Sequence, residues 1–283
     1  MPFLIAVSLL WAFSFGLIKG RLAGLDSALV TALRLGFAFL VFLPFLRWRG
    51  LRPRGAVLVA AIGAVQFGLM YLAYNESFRF LQAHEVALFT LTTPVWMTLL
   101  ADAWERRFHA RALAAAVLAI LGCAVAVAPS VTLPSSWLGI ALIQVSNLAF
   151  ATGQVAYRAF RQTHVEVNDR DIFALAYAGG LALALVVVLS RGLPTLGAIT
   201  GPQWLTLAYL GVLASGLGFF LWNVGVTRVS AGTAAVMNNA KIPLGIACSL
   251  LFFGESANLP RLAAGFATLG FAVWLARPRT QEG

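Results

Sequence analysis

Runs of apolar residues separated by short polar stretches occupy almost the whole chain. A helix needs roughly 20 predominantly apolar residues to cross the hydrocarbon core of a bilayer. The apolar runs of this chain approach that length ten times, which predicts an all-α integral membrane protein with ten transmembrane helices. We place these spans at about residues 3–18, 28–46, 57–75, 84–103, 112–128, 137–157, 172–189, 204–226, 233–253 and 260–276.

The pattern repeats itself at an offset of about 149 positions, so that Pro94 matches Pro243. Five spans is an odd number, so a second copy of a five-span unit crosses the membrane in the opposite sense. We therefore predict two inverted five-helix repeats, residues 1–129 and residues 130–283. The uncharged, proline-containing segment VAPSVTLPSSW (127–137) is the natural junction between them.

Each repeat carries a proline near the middle of a predicted span. A proline within a helix removes one backbone hydrogen bond and frees the carbonyl four residues earlier. Pro94 would free the carbonyl of Thr90, and Pro243 would free that of Asn239. Paired interruptions in two halves of a membrane protein point to a transporter and its substrate site, so both prolines are candidate hinges. The alternative is a pair of kinks that only improve the packing between helices.

The net charge of +10 is concentrated in the predicted loops and span ends. If the N-terminus is cytoplasmic, 13 of the 20 Lys and Arg fall on the inside, 5 on the outside and 2 within spans. This distribution satisfies the positive-inside rule with both termini in the cytoplasm. The basic charge therefore indicates orientation in the lipid bilayer and contact with anionic lipids, and not a nucleic-acid partner.

The composition excludes a soluble enzyme or receptor domain. Apolar residues make up 60% of the chain and charged residues 11%, whereas soluble domains carry about 25% charged residues. Cys123 and Cys248 lie within predicted spans and are interpreted as small packing residues. The N-terminal apolar run lacks the basic start and the cleavage site of a signal peptide, and is interpreted as the first span.

Lys241 is the sharpest candidate for contact with a substrate. It lies about 12 Å into the ninth predicted span, at a rise of roughly 1.5 Å per residue. Charged residues at that depth usually face a cavity, and helical spacing places Lys241 on one face with Asn238 and Gly245. It could pair with the carboxylate of an amino acid, or it could snorkel to the cytoplasmic surface. For Arg34, nearer the outer surface, snorkelling or a bond to a loop carbonyl competes equally with substrate contact.

Neutral polar and aromatic residues at helical spacing complete the candidate cavity. Such a wall suits zwitterions with apolar side chains, because aromatic faces can also hold an ammonium group. The same amides and hydroxyls can instead bond neighbouring helices to one another. The candidates are Trp11, Phe15, Gln66, Met70, Tyr74, Thr90, Thr93, Gln144, Asn147, Phe219, Trp222, Asn238 and Asn239.

Acidic residues are missing from the middle of the predicted spans. All 10 Asp and Glu and all 3 His lie in loops or at span ends. No carboxylate is then placed to bind a lipophilic cation or to relay a proton, which disfavours a proton-coupled drug antiporter of the small-multidrug type. The sequence predicts no catalytic residues, no metal site and no cofactor, and we expect substrate to run down its gradient.

The chain resembles the EamA-type drug/metabolite transporters over nearly its whole length, once in each half. The resemblance rests on a helix that ends in a small-residue turn, a span with a central proline, the motif FGE (253–255) and a glycine-bearing span. The first copy departs from this pattern at Trp104, which precedes Glu105 where a glycine is usual. The chain is most similar to the YddG-type exporters, and this resemblance implies export of aromatic and other neutral amino acids.

We therefore predict an exporter of amino acids and similar small metabolites in the bacterial inner membrane, working by alternating access. A nucleotide-sugar or drug transporter of the same superfamily is the alternative, although a nucleotide-sugar carrier needs several cationic groups in its cavity. A polytopic membrane enzyme or a channel is the alternative from another class, and no catalytic cluster supports the enzyme. The sequence leaves the oligomeric state open, and a monomer is compatible with it.

The predicted orientation can be tested with single cysteines in a chain that lacks Cys123 and Cys248. We expect Arg49→Cys and Arg107→Cys to react with an impermeant reagent from the cytoplasmic side, and Ser135→Cys from the periplasmic side, because of the bias in positive charge. Labelling of positions 49 and 135 from the same side would contradict the inverted repeat.

Overall fold

A computed structural model of the chain describes residues 1–22, 24–47, 51–81, 83–127, 136–192, 196, 199–252 and 259–277, and these residues form helices and no β-strand. The motif FGE (253–255) and residues 128–135 of the predicted junction lie outside the described residues. The α-helices are α1 (Pro2–Arg21), α2 (Ser27–Phe42), α3 (Pro53–Gly63), α4 (Met70–Ser77), α5 (Ala83–Thr90), α6 (Thr93–Glu105), α7 (Ala110–Val127), α8 (Trp137–Thr163), α9 (Asp169–Arg191), α10 (Gly201–Tyr209), α11 (Gly218–Val226), α12 (Ala231–Met237), α13 (Lys241–Phe252) and α14 (Leu259–Leu275).

The all-helical prediction is confirmed for the described residues. Six helical segments are long and apolar enough to cross a membrane, and three shorter apolar helices accompany them. The arrangement of ten spans in two inverted repeats stays a prediction. The six long segments are Ser27–Phe45, Pro53–Ser77, Glu85–Glu105, Trp137–Thr163, Asp169–Arg191 and Gly201–Val226, and the shorter ones are Pro2–Ala12, Ala110–Val125 and Leu259–Leu275.

Two of the predicted spans are broken near their middle, between α5 and α6 and between α12 and α13. Each proline follows its break: Pro94 is the second residue of α6, and Pro243 is the third residue of α13. The backbone N–H groups in the first turn of a helix have no intrahelical acceptor. A proline there, which lacks the N–H, therefore costs no helical hydrogen bond. Each proline therefore lies in the first turn of a new half-helix, where the sequence had predicted a proline within one continuous helix, either as a hinge or as a packing kink.

The carbonyls near the two breaks are hydrogen-bonded. The Thr90 carbonyl accepts a hydrogen bond from the Thr93 hydroxyl at 2.7 Å. The Asn239 carbonyl accepts one from the backbone N–H of Ile242 at 3.0 Å. An unsatisfied backbone group in the membrane interior is costly, so these bonds allow irregular backbone at that depth.

Two further irregularities are π-helical stretches, Ala64–Leu69 between α3 and α4 and Leu210–Leu217 between α10 and α11. A π-bulge rotates the residues that follow it relative to those before it, and such bulges are frequent at functional sites. Both stretches are continuous with the helices on each side and so lie inside long membrane-crossing segments.

The helices pack in pairs that recur between the two halves of the chain. The segment α3 packs against α9, as the stretch Leu210–Leu217 packs against α2. The helix α4 packs against α8, as α11 packs against α1, and α6 packs against α8, as α13 packs against α1. Helices α7 and α14 pack against each other, and so do α2 and α9.

Small residues allow α3 and α9 to approach until their backbones touch. A Cβ atom added to Gly63 would lie 1.8 Å from the carbonyl oxygen of Ala176, and one added to Gly179 would lie 1.9 Å from that of Ala60. Close backbone contact is the usual basis of helix association in lipid, where no hydrophobic effect drives two apolar helices together. This crossing fixes the scaffold next to the interrupted helices.

We expect Gly63→Ala to lower the thermal unfolding midpoint of the purified protein in detergent by several degrees, because overpacking costs about 1–3 kcal/mol. Gly270→Ala in α14 is the matched control, since a Cβ atom there meets nothing within 4 Å. Its midpoint should stay unchanged or rise, because alanine favours a helix over glycine. Equal midpoints for the two variants would show that the α3–α9 contact is not tight.

Candidate substrate-binding cavity

A cavity of about 100 Å³ lies where the two broken segments meet the long helices. Residues from both halves of the chain line it, including residues on each side of both breaks. Apolar surface predominates, with a few polar groups, as is typical of a small-molecule site. The lining residues are Trp11, Arg34, Met70, Tyr71, Tyr74, Thr90, Thr93, Ser146, Asn147, Phe150, Ala214, Phe219, Asn238 and Lys241.

Lys241 is the first residue of α13 and lies directly after the second break. Its Nζ donates a hydrogen bond to Asn238 Oδ1 at 3.3 Å and lies 5.4 Å from the centroid of the Trp11 ring. Both contacts are with other residues of the cavity wall. This geometry favours the cavity interpretation of Lys241 over snorkelling to the surface. Asn238 is 1% exposed, and its Nδ2 has no hydrogen-bond partner among the described residues.

Arg34 lines the same cavity, although both substrate contact and snorkelling were open for it from its position in the sequence. It is only 3% exposed. Its guanidinium donates to Tyr71 Oη at 2.8 Å and to Ser215 Oγ at 3.3 Å, and it lies 4.1 Å from the centroid of the Tyr71 ring. Its Nη1 atom is buried and has no hydrogen-bond partner among the described residues.

Among the described residues, no carboxylate neutralises Arg34 or Lys241. Arg34 and Lys241 are the two basic residues that fall inside predicted spans, and the fold brings both into one cavity. None of the ion pairs among the described residues includes either of them. Charges buried within a membrane are costly unless they are paired. An anionic ligand would supply the missing partner, so the cavity is suited to an anion.

Asn147 of α8 forms hydrogen bonds with residues at the first break. Its Nδ2 donates to the Phe89 carbonyl at 2.9 Å and to Thr92 Oγ1 at 3.0 Å, and its Oδ1 accepts from Thr93 Oγ1 at 3.0 Å. Asn147 therefore lines the cavity and also satisfies polar groups at the break. Both interpretations of the amides, as cavity wall and as bonds between helices, apply to this residue.

The apolar wall of the cavity is aromatic. The ring centroid of Trp11 lies 5.0 Å from that of Phe219 and 6.5 Å from that of Phe150. Trp11 Nε1 donates to the Ala214 carbonyl at 2.9 Å, which fixes the indole against the π-helical stretch of the other half. The resulting surface can bury a flat apolar group while the two cations hold an anionic one.

Five predicted candidates do not line the cavity, or lie outside the described part of the structure. Gln66 donates to Asn223 at 3.1 Å, and Gln144 accepts from Thr92 and Trp96, each at 2.9 Å, so these amides bond helices to one another. Trp222 is fully buried behind Trp11. Asn239 donates to the Leu91 carbonyl at 3.0 Å. The side chain of Phe15 lies outside the described residues.

Several lining residues were not among the sequence candidates. They are Arg34, Tyr71, Ser146, Phe150 and Ala214. For Arg34 the signal was a charge within a span, and for Phe150 it was helical spacing from Asn147. Tyr71 lies three residues before the candidate Tyr74 on α4, so helical spacing from Tyr74 could have indicated it.

Comparison with known proteins gives one family and one group of relatives. The model of the EamA-like transporter family matches residues 1–128 and 137–277. A "Probable biotin transporter" of Pseudomonas aeruginosa is 43% identical over 285 residues, covering 100% of this chain and 99% of the relative. A "Biotin transporter" of Escherichia coli K12 is 36% identical, covering 100% and 96%, and one of Salmonella typhimurium is 37% identical, covering 98% and 93%.

A solved structure described as "Crystal structure of protein" superposes on this chain with a TM-score of 0.78. The superposition covers 97% of this chain and 95% of that chain at 19% sequence identity. At this level of identity the likeness concerns the fold alone.

Asn238 and Asn239 should differ sharply in their contribution to stability. We expect Asn239→Ala to destabilise the protein by about 1–3 kcal/mol, because the buried Leu91 carbonyl loses its donor. Asn238→Ala is the neighbouring comparison. It removes the acceptor of the 3.3 Å hydrogen bond from Lys241 Nζ, and it should cost less because that bond is long and Asn238 Nδ2 is without a partner among the described residues. Thermal unfolding in detergent measures both, and a larger loss in Asn238→Ala would contradict the assignment.

Proposed function

The chain belongs to the EamA-like transporter family, and we propose that it carries biotin across the bacterial inner membrane. Membership of this family makes it a multi-pass membrane transporter and not an enzyme. The names of relatives that are 36–43% identical over nearly the whole chain support biotin as the substrate. The observation that carries the proposal within this chain is the pair of unneutralised cations in one aromatic cavity.

Biotin presents three chemical groups that correspond to features of the cavity. Its carboxylate suits Lys241 or Arg34, because charge-assisted hydrogen bonds are the strongest polar contacts in a buried site. Its ureido ring has two N–H donors and one carbonyl acceptor, which suit the amide of Asn238 and the polar wall at Asn147 and Thr93. Its thioether ring and aliphatic chain are apolar and suit the aromatic surface.

An amino acid fits the same cavity less well. Its ammonium group would enter a site that already holds two cations and whose described lining residues include no carboxylate. The aromatic face that could hold an ammonium is that of Trp11, and Lys241 already lies above it. The prediction of a membrane transporter is thus confirmed at the level of the family, and we replace the expected amino-acid substrate by biotin.

We propose that the chain forms ten spans in two inverted repeats, residues 1–129 and 130–283, with both termini in the cytoplasm. The recurring packing supports this arrangement. Each broken or π-helical segment is counted here as one span. Span 3 then packs against span 7 as span 8 packs against span 2. Span 4 packs against span 6 as span 9 packs against span 1. A two-fold relation between the halves generates these pairs. The contacts between spans 5 and 10 and between spans 2 and 7 would lie on its axis.

We further propose that transport occurs by alternating access, with motion at the two breaks beside Pro94 and Pro243. A half-helix can change direction at a break without losing hydrogen bonds along its whole length. The breaks contact each other through Asn239 and the Leu91 carbonyl, which lets both move together. The lining residues that the structure describes include no carboxylate, so we expect transport down a gradient without obligatory proton coupling.

The substrate assignment is tested by equilibrium binding of biotin to the purified protein in detergent. We expect Lys241→Gln to weaken biotin binding by more than about tenfold, as loss of one partner of a buried charge pair does. Binding of biotin methyl ester, which has no carboxylate, should be weaker in the unsubstituted protein and almost unchanged by this substitution. Arg34→Gln tests the second cation in the same way.

Arg79→Gln serves as a control, because Arg79 is exposed and pairs with Glu76 away from the cavity. It should bind biotin like the unsubstituted protein. If both cavity variants lose as much affinity for biotin methyl ester as for biotin, the carboxylate does not contact Lys241 or Arg34. Absence of biotin binding together with saturable amino-acid binding would restore the amino-acid prediction.

A further inference from the structure

Two more cavities lie between the central cavity and one end of the molecule, and neither shares a described lining residue with the central cavity. The first, which we call the narrow cavity, has a volume of about 30 Å³, and Met97, Gln154, Val226 and Ala234 contribute to its wall. The second, the wide cavity, has a volume of about 340 Å³ and shares Ala101, Glu105, Arg158 and Ala231 with the narrow one. In the proposed topology this end is cytoplasmic, because Glu105 and Arg158 then lie at the inner ends of their spans.

The same helix faces line the central and the narrow cavity. On α6, Thr93 lines the central cavity and Met97, four residues later, lines the narrow one. On α8 the corresponding pair is Asn147 and Gln154, seven residues apart. Residues four or seven apart lie on one face of a helix, so the cavities follow one another along a single column.

Two other helices repeat this relation. Asn238 lines the central cavity, and Ala234, four residues earlier on α12, lines the narrow one. On α11 the pair is Phe219 and Val226. The column is therefore bounded by four helices that come from both halves of the chain.

Gln154 is a buried polar side chain that the fold leaves without partners. It is 3% exposed, and neither its Nε2 nor its Oε1 has a hydrogen-bond partner among the described residues. Buried amides in membrane helices normally bond a neighbouring helix, as Gln66 and Gln144 do here. An amide with both groups unpaired next to a cavity is instead available to a water molecule or a ligand.

We propose that this column is the inner half of the substrate pathway, and that Gln154 is the polar contact for substrate between the central cavity and the wide cavity. This inference rests on the proposed function, since it takes biotin as the substrate. The amide can donate to the carboxylate or the ureido carbonyl and accept from a ureido N–H as the molecule passes. These hydrogen bonds to Gln154 replace some of the hydrogen bonds to water that the polar groups of biotin lose when they enter the column.

The charge of the wide cavity agrees with passage of an anion. Its wall holds three arginines, Arg111, Arg158 and Arg277, and two carboxylates, Asp102 and Glu105. Asp102 is already paired with the His109 ring at 2.6 Å and accepts the His109 backbone N–H at 2.9 Å. The remaining charge is positive, which raises the local concentration of an anionic substrate at the opening.

The path is tested first without reference to substrate. In a full chain with Cys123 and Cys248 replaced by alanine, Ala234→Cys should react with an impermeant thiosulfonate reagent in inside-out membrane vesicles. Ala235→Cys is the matched control, because Ala235 adjoins Ala234 on α12 and is equally buried but is not among the described residues that line the cavities. Reaction of Ala234→Cys no faster than that of Ala235→Cys would overturn the proposed path.

The role of Gln154 is tested by kinetics in proteoliposomes. We expect Gln154→Met, which keeps the length of the side chain but removes its hydrogen-bonding groups, to lower the maximal rate of biotin transport by about tenfold. Equilibrium binding of biotin should stay within about twofold, because Gln154 does not line the central cavity. Gln154→Glu is the polar comparison, and its carboxylate should slow an anion at least as much.

An unchanged maximal rate in Gln154→Met, with intact biotin binding, would overturn the role of Gln154. Failure of the proposed function would look different, since the unsubstituted protein would then neither bind nor transport biotin. The difference in labelling between Ala234→Cys and Ala235→Cys would still decide whether the column is open to the inner side.

Discussion

Two cationic side chains in predicted spans, with no carboxylate partner among the described residues, are the constraint on which the cavity depends. Arg34 is held by Tyr71 and Ser215, and Lys241 is held by Asn238 and the Trp11 ring. Hydrogen bonds to neutral groups and contacts with aromatic faces lower the free-energy cost of burying each cation, but they do not neutralise its positive charge. A cavity with two such cations favours anionic groups and opposes groups that add a positive charge.

The two breaks place irregular backbone beside those cations. Membrane-depth backbone must be satisfied within the protein, and here Thr93, Asn147 and Asn239 provide the donors. Because Asn239 of one break donates to the Leu91 carbonyl at the other, the breaks form one connected unit. Close glycine contacts such as that of Gly63 with α9 make the surrounding scaffold tight. Motion is therefore easiest at the breaks, which also carry the polar groups of the cavity.

The site combines residues that are far apart in sequence because each half of the chain supplies only part of it. Tyr71 and Thr93 belong to the first half, and Asn147, Phe219 and Lys241 to the second. The cavity forms only when the halves are docked, so a change in their docking alters access to substrate without altering either half. The column of cavities beside Gln154 follows from the same docking, since α6 of the first half faces α8 and α12 of the second.

The sequence by itself determined the all-helical membrane class, through hydrophobic length and the charge in loops. Its resemblance to a known family indicated the EamA-type transporters, which the family comparison confirmed. The sequence also marked the two prolines as candidate hinges and Lys241 as a candidate substrate contact, and these stay predictions. The tertiary structure decided which amides face the cavity: Asn147 and Asn238 do, whereas Gln66, Gln144 and Asn239 bond other parts of the protein. It also placed Arg34 and Lys241 in the same cavity. The spacing along one helix does not encode which residues of other helices that helix faces, nor how a π-helical stretch rotates the residues after it.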